Sequence, residues 1–162
     1  MRAASARSDE AVWYIGRMPA PASHRRIDAS CHCGTIRVAL DWPAAAATIA
    51  ARACGCGLCR RHGAAWTSHP DGRFRLLISE AARVSAYRFG THTADFHVCL
   101  TCGIVPIVTC TIEGARYAVF NVNAFDNVER SQILTGASDF EGESTDNRLA
   151  RRRRNWTPEA TA

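Results

Sequence analysis

The sequence predicts an all-β domain with short helical turns. Apolar and polar residues alternate over several short segments, which is the period of a half-buried strand. Two β-rich segments flank a short glycine-containing connection, which indicates a hairpin. Few stretches repeat apolar residues at the 3.6-residue interval of a helix, so the sheet-forming pattern dominates.

The strands can be assigned in order along the chain. The first begins at Thr35, after which Ile36, Val38 and Leu40 share one face. Residues 58–63 are predicted to form a short helical turn. Alanine favours helix in residues 44–53, but we interpret this segment as irregular or extended. The remaining predicted strands cover residues 73–78, 93–98, 104–112 and 116–122, the last two joined at Glu113 and Gly114.

Composition divides the 162 residues into three parts. Residues 1–26 lack sustained periodicity and are expected to form a flexible N-terminal extension, although the aromatic cluster at 13–15 could pack on the domain or on a second subunit. Residues 27–140 form the expected domain. Residues 141–162 are expected to form a polar, arginine-rich tail. A homo-oligomer is compatible with this organisation.

The positive charge is concentrated in that tail. All 20 basic residues are arginine, and four of them are consecutive at 151–154. Without this run, 16 arginines face 15 acidic residues, so the rest of the chain is nearly neutral. A basic balance confined to a tail is a weak argument for a nucleic-acid partner, and we interpret the run as a solvated, partly disordered C-terminus.

Hydropathy and cysteine usage indicate a cytoplasmic protein. No apolar run approaches the roughly 18–20 residues that would span a bilayer. The first twenty residues contain Asp9 and Glu10 and lack the continuous apolar stretch of a secretory signal. A reducing compartment makes disulfides a poorer explanation than metal binding for the eight cysteines.

Four of these cysteines form two closely spaced pairs. One residue separates Cys31 from Cys33, and two residues separate Cys99 from Cys102. Because sulfurs on tetrahedral zinc lie roughly 3.8 Å apart, each pair can supply half of a site within one tight turn. Together they predict a closed, structural zinc site that links the start of the domain to a point 66 residues later.

A second cluster supplies three thiols within six residues. Cys54, Cys56 and Cys59 are separated by glycines that let the backbone wrap around an ion. Three protein ligands leave one coordination position for water or a substrate thiol, so this cluster is the predicted catalytic centre. The alternative is a second closed site with His62 as the fourth ligand. Cys110 is the other possible fourth ligand, but it lies in an apolar strand pattern, so we interpret it as a buried free thiol.

These motifs resemble the glutathione-dependent formaldehyde-activating enzyme family, which also includes centromere protein V. The resemblance covers about residues 27–140 and includes all three motifs in order. They read Ser-Cys-His-Cys-Gly at 30–34, Cys-Gly-Cys-Gly-Leu-Cys-Arg-Arg at 54–61 and Cys-Leu-Thr-Cys-Gly at 99–103.

The resemblance implies a β-tent fold of stacked antiparallel sheets and two zinc ions per chain. The structural zinc would be bound by Cys31, Cys33, Cys99 and Cys102, and the catalytic zinc by Cys54, Cys56 and Cys59. The implied reaction joins glutathione to formaldehyde, and the family is classed as carbon–sulfur lyases because the reverse reaction cleaves that bond.

The resemblance also bears on neighbouring residues. In the family motif the position of His62 is not a ligand, and position 57 is glycine here where relatives often have serine. Arg60 and Arg61 could pair with substrate carboxylates or stabilise the fold. His97 and Asp95 are candidate proton carriers or structural residues, and neither is assigned a catalytic role.

A second function is compatible with the same residues. The chain could be a non-catalytic binding module with two structural zincs, in which the arginine tail contacts nucleic acid or an acidic protein. In the enzyme interpretation, the partners are a small thiol such as glutathione and an aldehyde.

Overall fold

The computed structural model describes residues 23–44 and 47–161. Residues 13–15 therefore lie outside the described part of the chain. None of the helices in the described part has the length and apolar character needed to cross a membrane. The strands and helices of the described ranges are, in chain order, β1 (His24–Ser30), β2 (Ile36–Pro43), β3 (Ile49–Cys54), α1 (Gly57–His62), β4 (Ala65–Thr67), β5 (Arg73–Ile78), β6 (Val84–Tyr87), β7 (Asp95–Cys99), β8 (Ile107–Ile112), β9 (Ala115–Asn121), β10 (Ile133–Ser138), α2 (Thr145–Asn155) and β11 (Thr157–Pro158).

These strands form two sheets, which confirms the all-β prediction. Within the described ranges, β1, β2 and β5 make a three-stranded antiparallel sheet in the order β1-β2-β5. The larger sheet has the order β10-β3-β4-β9-β8-β7-β6, with β11 also pairing with β9. The larger sheet is mixed rather than purely antiparallel, because β10 runs parallel to β3.

Alternation along the strands gives the larger sheet two buried faces. Ile107 and Phe120 belong to a core that also contains Leu40 and Phe74 of the smaller sheet. Their neighbours point the other way, toward a second cluster that contains Trp66 and Trp156. The first face joins the two sheets, and the second face carries the cleft described below.

The hairpin prediction is confirmed by β8 and β9. Ile112 pairs with Ala115, so Glu113 and Gly114 form a two-residue turn. Both have positive φ, +49° and +81°, which suits the twist of a tight hairpin. The predicted strand over 104–112 begins later, at Ile107, because Pro106 has no N–H for the ladder.

Other local predictions are met to different degrees. Residues 73–78 are a strand as predicted, and α1 matches the predicted turn within one residue. The extended interpretation of residues 44–53 holds for β3. The strand predicted over 93–98 is β7, which begins at Asp95.

The C-terminal residues differ from the expected solvated tail. Ser144 caps α2 by accepting a hydrogen bond from the Asn147 N–H, and the helix carries the whole arginine run. Arg152 and Trp156 are buried, being 7% and 6% exposed. The chain then pairs with β9 and donates from Ala160 N to Phe74 O at 2.8 Å. The fold therefore continues past the expected boundary at residue 140.

The N-terminal boundary also shifts slightly. Residues 24–26, expected within the flexible extension, are the first three positions of β1 and pair with residues 41–43 of β2. These positions show no alternation of apolar and polar residues, because two arginines and a histidine occupy them.

Candidate functional site

The first cysteine cluster is built from two similar turns. Cys31 follows β1, and the Gly34 N–H donates to Cys31 O at 2.9 Å. Cys99 ends β7, and the Gly103 N–H donates to Cys99 O at 2.8 Å. Gly34 and Gly103 have φ of +78° and +75°, values that glycine adopts without strain. Each cysteine pair thus lies on a tight turn at the end of a strand.

The four sulfurs of these turns converge. Those of Cys31, Cys33, Cys99 and Cys102 all lie within 4.8 Å of one another. The Cys31 Sγ to Cys33 Sγ distance is 3.7 Å, and Cys33 Sγ to Cys99 Sγ is 3.4 Å. These distances are close to the roughly 3.8 Å expected between thiolates on one zinc ion. This cluster could hold a metal ion as a closed four-sulfur site.

The thiols of this cluster differ in pKa. Burial raises the pKa of Cys31 to about 11, whereas hydrogen bonds from the Thr35 hydroxyl and backbone N–H lower the pKa of Cys33 to about 6. Interacting thiols titrate as a group, and a divalent cation converts its thiol ligands to thiolates outright. The donor set therefore fits a metal dication such as zinc.

The second cluster lies on the opposite side of the larger sheet. Cys54 ends β3, Cys56 precedes α1, and Cys59 lies within that helix. Their three sulfurs lie within 4.8 Å of one another. The Cys59 N–H points to Cys56 Sγ at 3.5 Å, so the start of the helix holds the second and third cysteines together. This cluster could hold a metal ion through three protein sulfurs.

Burial and hydrogen bonding set the acidity of this cluster as well. Burial raises the pKa of both Cys54 and Cys59. Burial also opposes ionisation of Cys56, but hydrogen bonds led by the Cys59 N–H outweigh it and lower the pKa of Cys56. The Trp66 indole N–H donates to Cys59 Sγ at 3.1 Å and favours the thiolate there.

Replacing Trp66 with phenylalanine should weaken metal binding at this cluster. The change keeps an aromatic ring but removes the hydrogen bond to Cys59 Sγ, and loss of such an outer partner typically costs about 10- to 100-fold in metal affinity. Chelator competition measures the affinity. Trp42→Phe is the matched control, since Trp42 is equally buried in the core between the sheets. Wild-type affinity in Trp66→Phe would contradict this role.

Two further cysteine-related predictions have clear outcomes. His62 is exposed at the end of α1 and does not join the three sulfurs in the group that could hold a metal ion. The structure therefore does not support His62 as a fourth ligand. Cys110 is a buried free thiol, as predicted, with its Sγ 3.6 Å from an Arg152 nitrogen.

The three-cysteine cluster opens into a cleft of about 630 Å³. Aromatic rings form one wall, in which Trp66 and Phe96 meet edge to face at 6.0 Å and Phe89 lies 5.1 Å from Phe96. A volume of several hundred Å³ is typical of small-molecule sites. The cleft also reaches residues 138–142 and α2.

Comparison with known proteins now identifies the family. Residues 26–141 match the family described as glutathione-dependent formaldehyde-activating enzyme. The chain belongs to this family. It is also similar to a Rhodobacter sphaeroides protein of known crystal structure, a structural genomics target, with 30% sequence identity and a TM-score of 0.47. That similarity covers 64% of this chain and 92% of the other.

Helix α2 follows the part of the chain that matches the family, yet it contributes to the cleft. Arg148, Arg151 and Arg152 line it together with Arg52 of β3. Arg151 pairs with Glu143 and lies over the Phe140 ring, 3.8 Å from its centre. This set is not predicted from the sequence, because a run of arginines is typical of a solvated tail. Two features of the sequence do indicate a helix here. Ser144 is a favourable N-cap residue, and the next eleven residues have an acidic residue in the first turn and arginines in the last.

The other polar candidates lie in different surroundings. Arg60 lines the cleft, whereas Arg61 donates to Gly57 O at 2.8 Å within α1. His97 Nε2 is 2.8 Å from the Thr109 hydroxyl, and Asp95 pairs with Arg88. Neither His97 nor Asp95 lines the cleft. These contacts favour structural roles for Arg61, His97 and Asp95.

The ion pair between Glu143 and Arg151 of α2 makes the stability of the fold depend on pH. Hydrogen bonds from Arg151 lower the pKa of the Glu143 carboxyl from its usual value of 4.5. A carboxyl with a lowered pKa stabilises the fold above its unfolded-state pKa, and that contribution is lost as pH falls through the folded-state value. Glu143→Gln should therefore destabilise the protein above pH 4.5, with a destabilisation that shrinks at lower pH.

Urea titrations of both proteins across the acid range measure this difference. Arg151→Gln removes the other partner and should give the same pH dependence. A destabilisation by Glu143→Gln that stays constant across this range would contradict the assignment.

Proposed function

We propose that this chain joins a small thiol such as glutathione to an aldehyde such as formaldehyde, as a zinc-dependent carbon–sulfur lyase of the S-(hydroxymethyl)glutathione synthase type. The observation that carries the proposal is the convergence of Cys54, Cys56 and Cys59 at a cleft large enough for such a thiol. Membership of the family supports the same class of reaction.

The two clusters would hold two zinc ions with different roles. Cys31, Cys33, Cys99 and Cys102 offer four sulfurs and would hold a structural ion, whereas Cys54, Cys56 and Cys59 would hold the ion used in the reaction. Zinc bound by three thiolates lowers the pKa of a further thiol ligand, so that a thiolate nucleophile is available at neutral pH.

The protein's own residues would prepare the site for addition. The aromatic wall of Trp66, Phe89 and Phe96 presents an apolar surface beside the sulfurs and limits the water that can compete for the aldehyde. The Trp66 N–H holds Cys59 Sγ in place. The reaction forms one carbon–sulfur bond and transfers the thiol proton to the carbonyl oxygen, so it requires no oxidant or reductant.

We propose a cytoplasmic location because the cysteines are free thiols. All eight lie in the described residues, and each is a free thiol. Metal binding by seven of them requires reduced sulfur, which the cytoplasm maintains.

The alternative of a binding module with a basic tail has less support. That interpretation needs a free arginine run, but Arg151 pairs with Glu143 and Arg153 with Glu113. Arg152 is buried and donates to the Thr93 hydroxyl at 2.7 Å. Most of the run is therefore used within the chain, and the cleft is the better candidate for ligand binding.

Exchange NMR tests the proposed reaction. Addition of a thiol to an aldehyde is reversible, so the measured quantity is the rate of exchange between free ¹³C-labelled formaldehyde and its glutathione adduct at equilibrium. The zinc-loaded protein should increase that rate in proportion to its concentration. No acceleration with any of several small thiols would overturn the proposed function.

A further inference from the structure

We infer that the aldehyde substrate carries an apolar group, a phenyl ring or a hydrocarbon chain, which binds against the aromatic wall of the cleft. Trp66, Phe96 and Phe89 form this wall, and all three line the cleft. The inference rests on the proposed function for the reaction, but it assigns the second reactant to a larger and more apolar class than formaldehyde.

The aromatic wall begins at the three-cysteine cluster. The Trp66 indole N–H donates to Cys59 Sγ at 3.1 Å, so one edge of the indole touches the sulfur. Trp66 and Phe96 then meet edge to face, with their ring centres 6.0 Å apart. A carbonyl carbon that reacts at this cluster therefore lies beside the inner end of the wall.

The wall continues outward toward solvent. Phe96 and Phe89 have ring centres 5.1 Å apart, and Phe89 stacks on Tyr87 at 5.7 Å. Trp66 is 7% exposed and Phe96 and Phe89 are half-buried, whereas Tyr87 is 47% exposed. Exposure thus increases from the cysteines to the outer end, as expected of a surface that a ligand can reach.

Strand register extends this apolar surface across the sheet. Phe96 of β7 pairs with Val108 of β8, and Val108 pairs with Val119 of β9. Directly paired residues share one face of a sheet, and both valines line the cleft. The apolar surface beside the cysteines therefore spans three neighbouring strands.

Formaldehyde would leave most of this surface in contact with water. It has a single carbon atom, whereas the cleft has a volume of about 630 Å³. Removing apolar surface from water is favourable in proportion to the area buried. A phenyl or alkyl group on the aldehyde would cover Phe96 and Phe89, and a phenyl ring could also meet them edge to face.

The apolar group belongs to the aldehyde rather than to the thiol. A thiol such as glutathione is polar and charged, and the one polar group of the wall, the Trp66 N–H, is used by Cys59. In the reaction the sulfur bonds to the carbonyl carbon, the carbonyl π electrons move to the oxygen, and the oxygen gains the thiol proton. The group on that carbon is unchanged, so it can stay on the aromatic wall in both the aldehyde and the adduct.

Two stable analogues of the adduct test this binding without turnover. S-(2-phenylethyl)glutathione has the carbon skeleton of the phenylacetaldehyde adduct, and S-ethylglutathione has that of the acetaldehyde adduct, so the two differ only in the phenyl ring. Titration calorimetry on the zinc-loaded protein measures both affinities. The phenylethyl compound should bind about 10- to 100-fold more tightly, as expected when an aromatic group of side-chain size is buried.

Phe89→Ala should reduce this ratio of affinities about 3- to 10-fold, which is the effect of one lost aromatic contact. Phe89 lies between β6 and β7, so the change interrupts no strand. Leu134→Ala is the matched control, since Leu134 of β10 is an apolar side chain, 59% exposed, outside the cleft lining. It should keep the wild-type ratio. If Phe89→Ala fails to fold, the comparison of the two analogues on the wild type still decides.

Equal affinity of the wild type for the two analogues, or binding of neither, would overturn the inference. An unchanged ratio in folded Phe89→Ala would also overturn it, because the phenyl ring would then bind elsewhere. Equal affinity together with catalysed exchange of formaldehyde would leave the proposed function intact. A protein that favours the phenylethyl analogue but accelerates adduct exchange with neither phenylacetaldehyde nor formaldehyde would retain the apolar site and lose the proposed reaction.

Discussion

Replacing Cys99 with serine should leave the chain unfolded under conditions in which the wild type folds. Cys99 is fully buried, and its sulfur lies in the four-cysteine cluster that joins the end of β1 to the end of β7. Structural zinc contributes about 10–16 kcal/mol in small zinc-finger peptides, comparable with the roughly 5–15 kcal/mol total stability of a domain. Loss of one ligand therefore removes a stabilisation that the two sheets cannot replace.

Circular dichroism and urea titration of zinc-loaded protein measure this effect. Cys54→Ser is the matched control, because it also removes one sulfur from a cluster but lies beside an open cleft. Cys54→Ser should unfold cooperatively near the wild-type midpoint. A folded Cys99→Ser protein of similar stability would show that the four-cysteine cluster is not a structural metal site.

The same Cys54→Ser variant should lose catalysis of the exchange between glutathione and formaldehyde. Because loss of an outer partner of a metal site already costs about 10- to 100-fold, loss of a sulfur ligand should reduce the rate roughly 100-fold or more. Zinc content should fall from two ions per chain to one. Cys110→Ser is the control, since Cys110 is a buried thiol outside both clusters. Wild-type exchange in Cys54→Ser would exclude this cluster as the reaction centre.

The sequence predicted the strands and cysteine groups because their signals are local or depend on residue type. Alternation of Ile36, Val38 and Leu40 fixes one face of β2, and all three are buried. The cysteine pairs stand in tight turns whose glycines are visible in the sequence. Two cysteine pairs on tight turns are typical of a shared metal site, so the spacing alone predicts that the two pairs meet.

Helix α2 is not predicted from the sequence because only Leu149 and the capping Trp156 supply apolar contacts to the core from this part of the chain. Arg152 occupies a position where helical periodicity would require a hydrophobic residue, and its charge is accommodated by Thr93 and the Trp156 ring. No pattern in one sequence distinguishes this arginine from its neighbour Arg153, which is exposed. The parallel pairing of β10 with β3 was also missed, since it joins residues about 84 apart without a local signal.

The central claim is that the two metal sites differ in whether they accept a substrate thiol. Absorption spectroscopy of cobalt-substituted protein, titrated with glutathione, tests it most directly, because cobalt bands report the number of sulfur ligands. We predict a change in the spectrum that saturates at one thiol per chain in the wild type and is lost in Cys54→Ser. A wild-type spectrum that glutathione leaves unchanged, or a change of equal size in Cys54→Ser, would contradict the account.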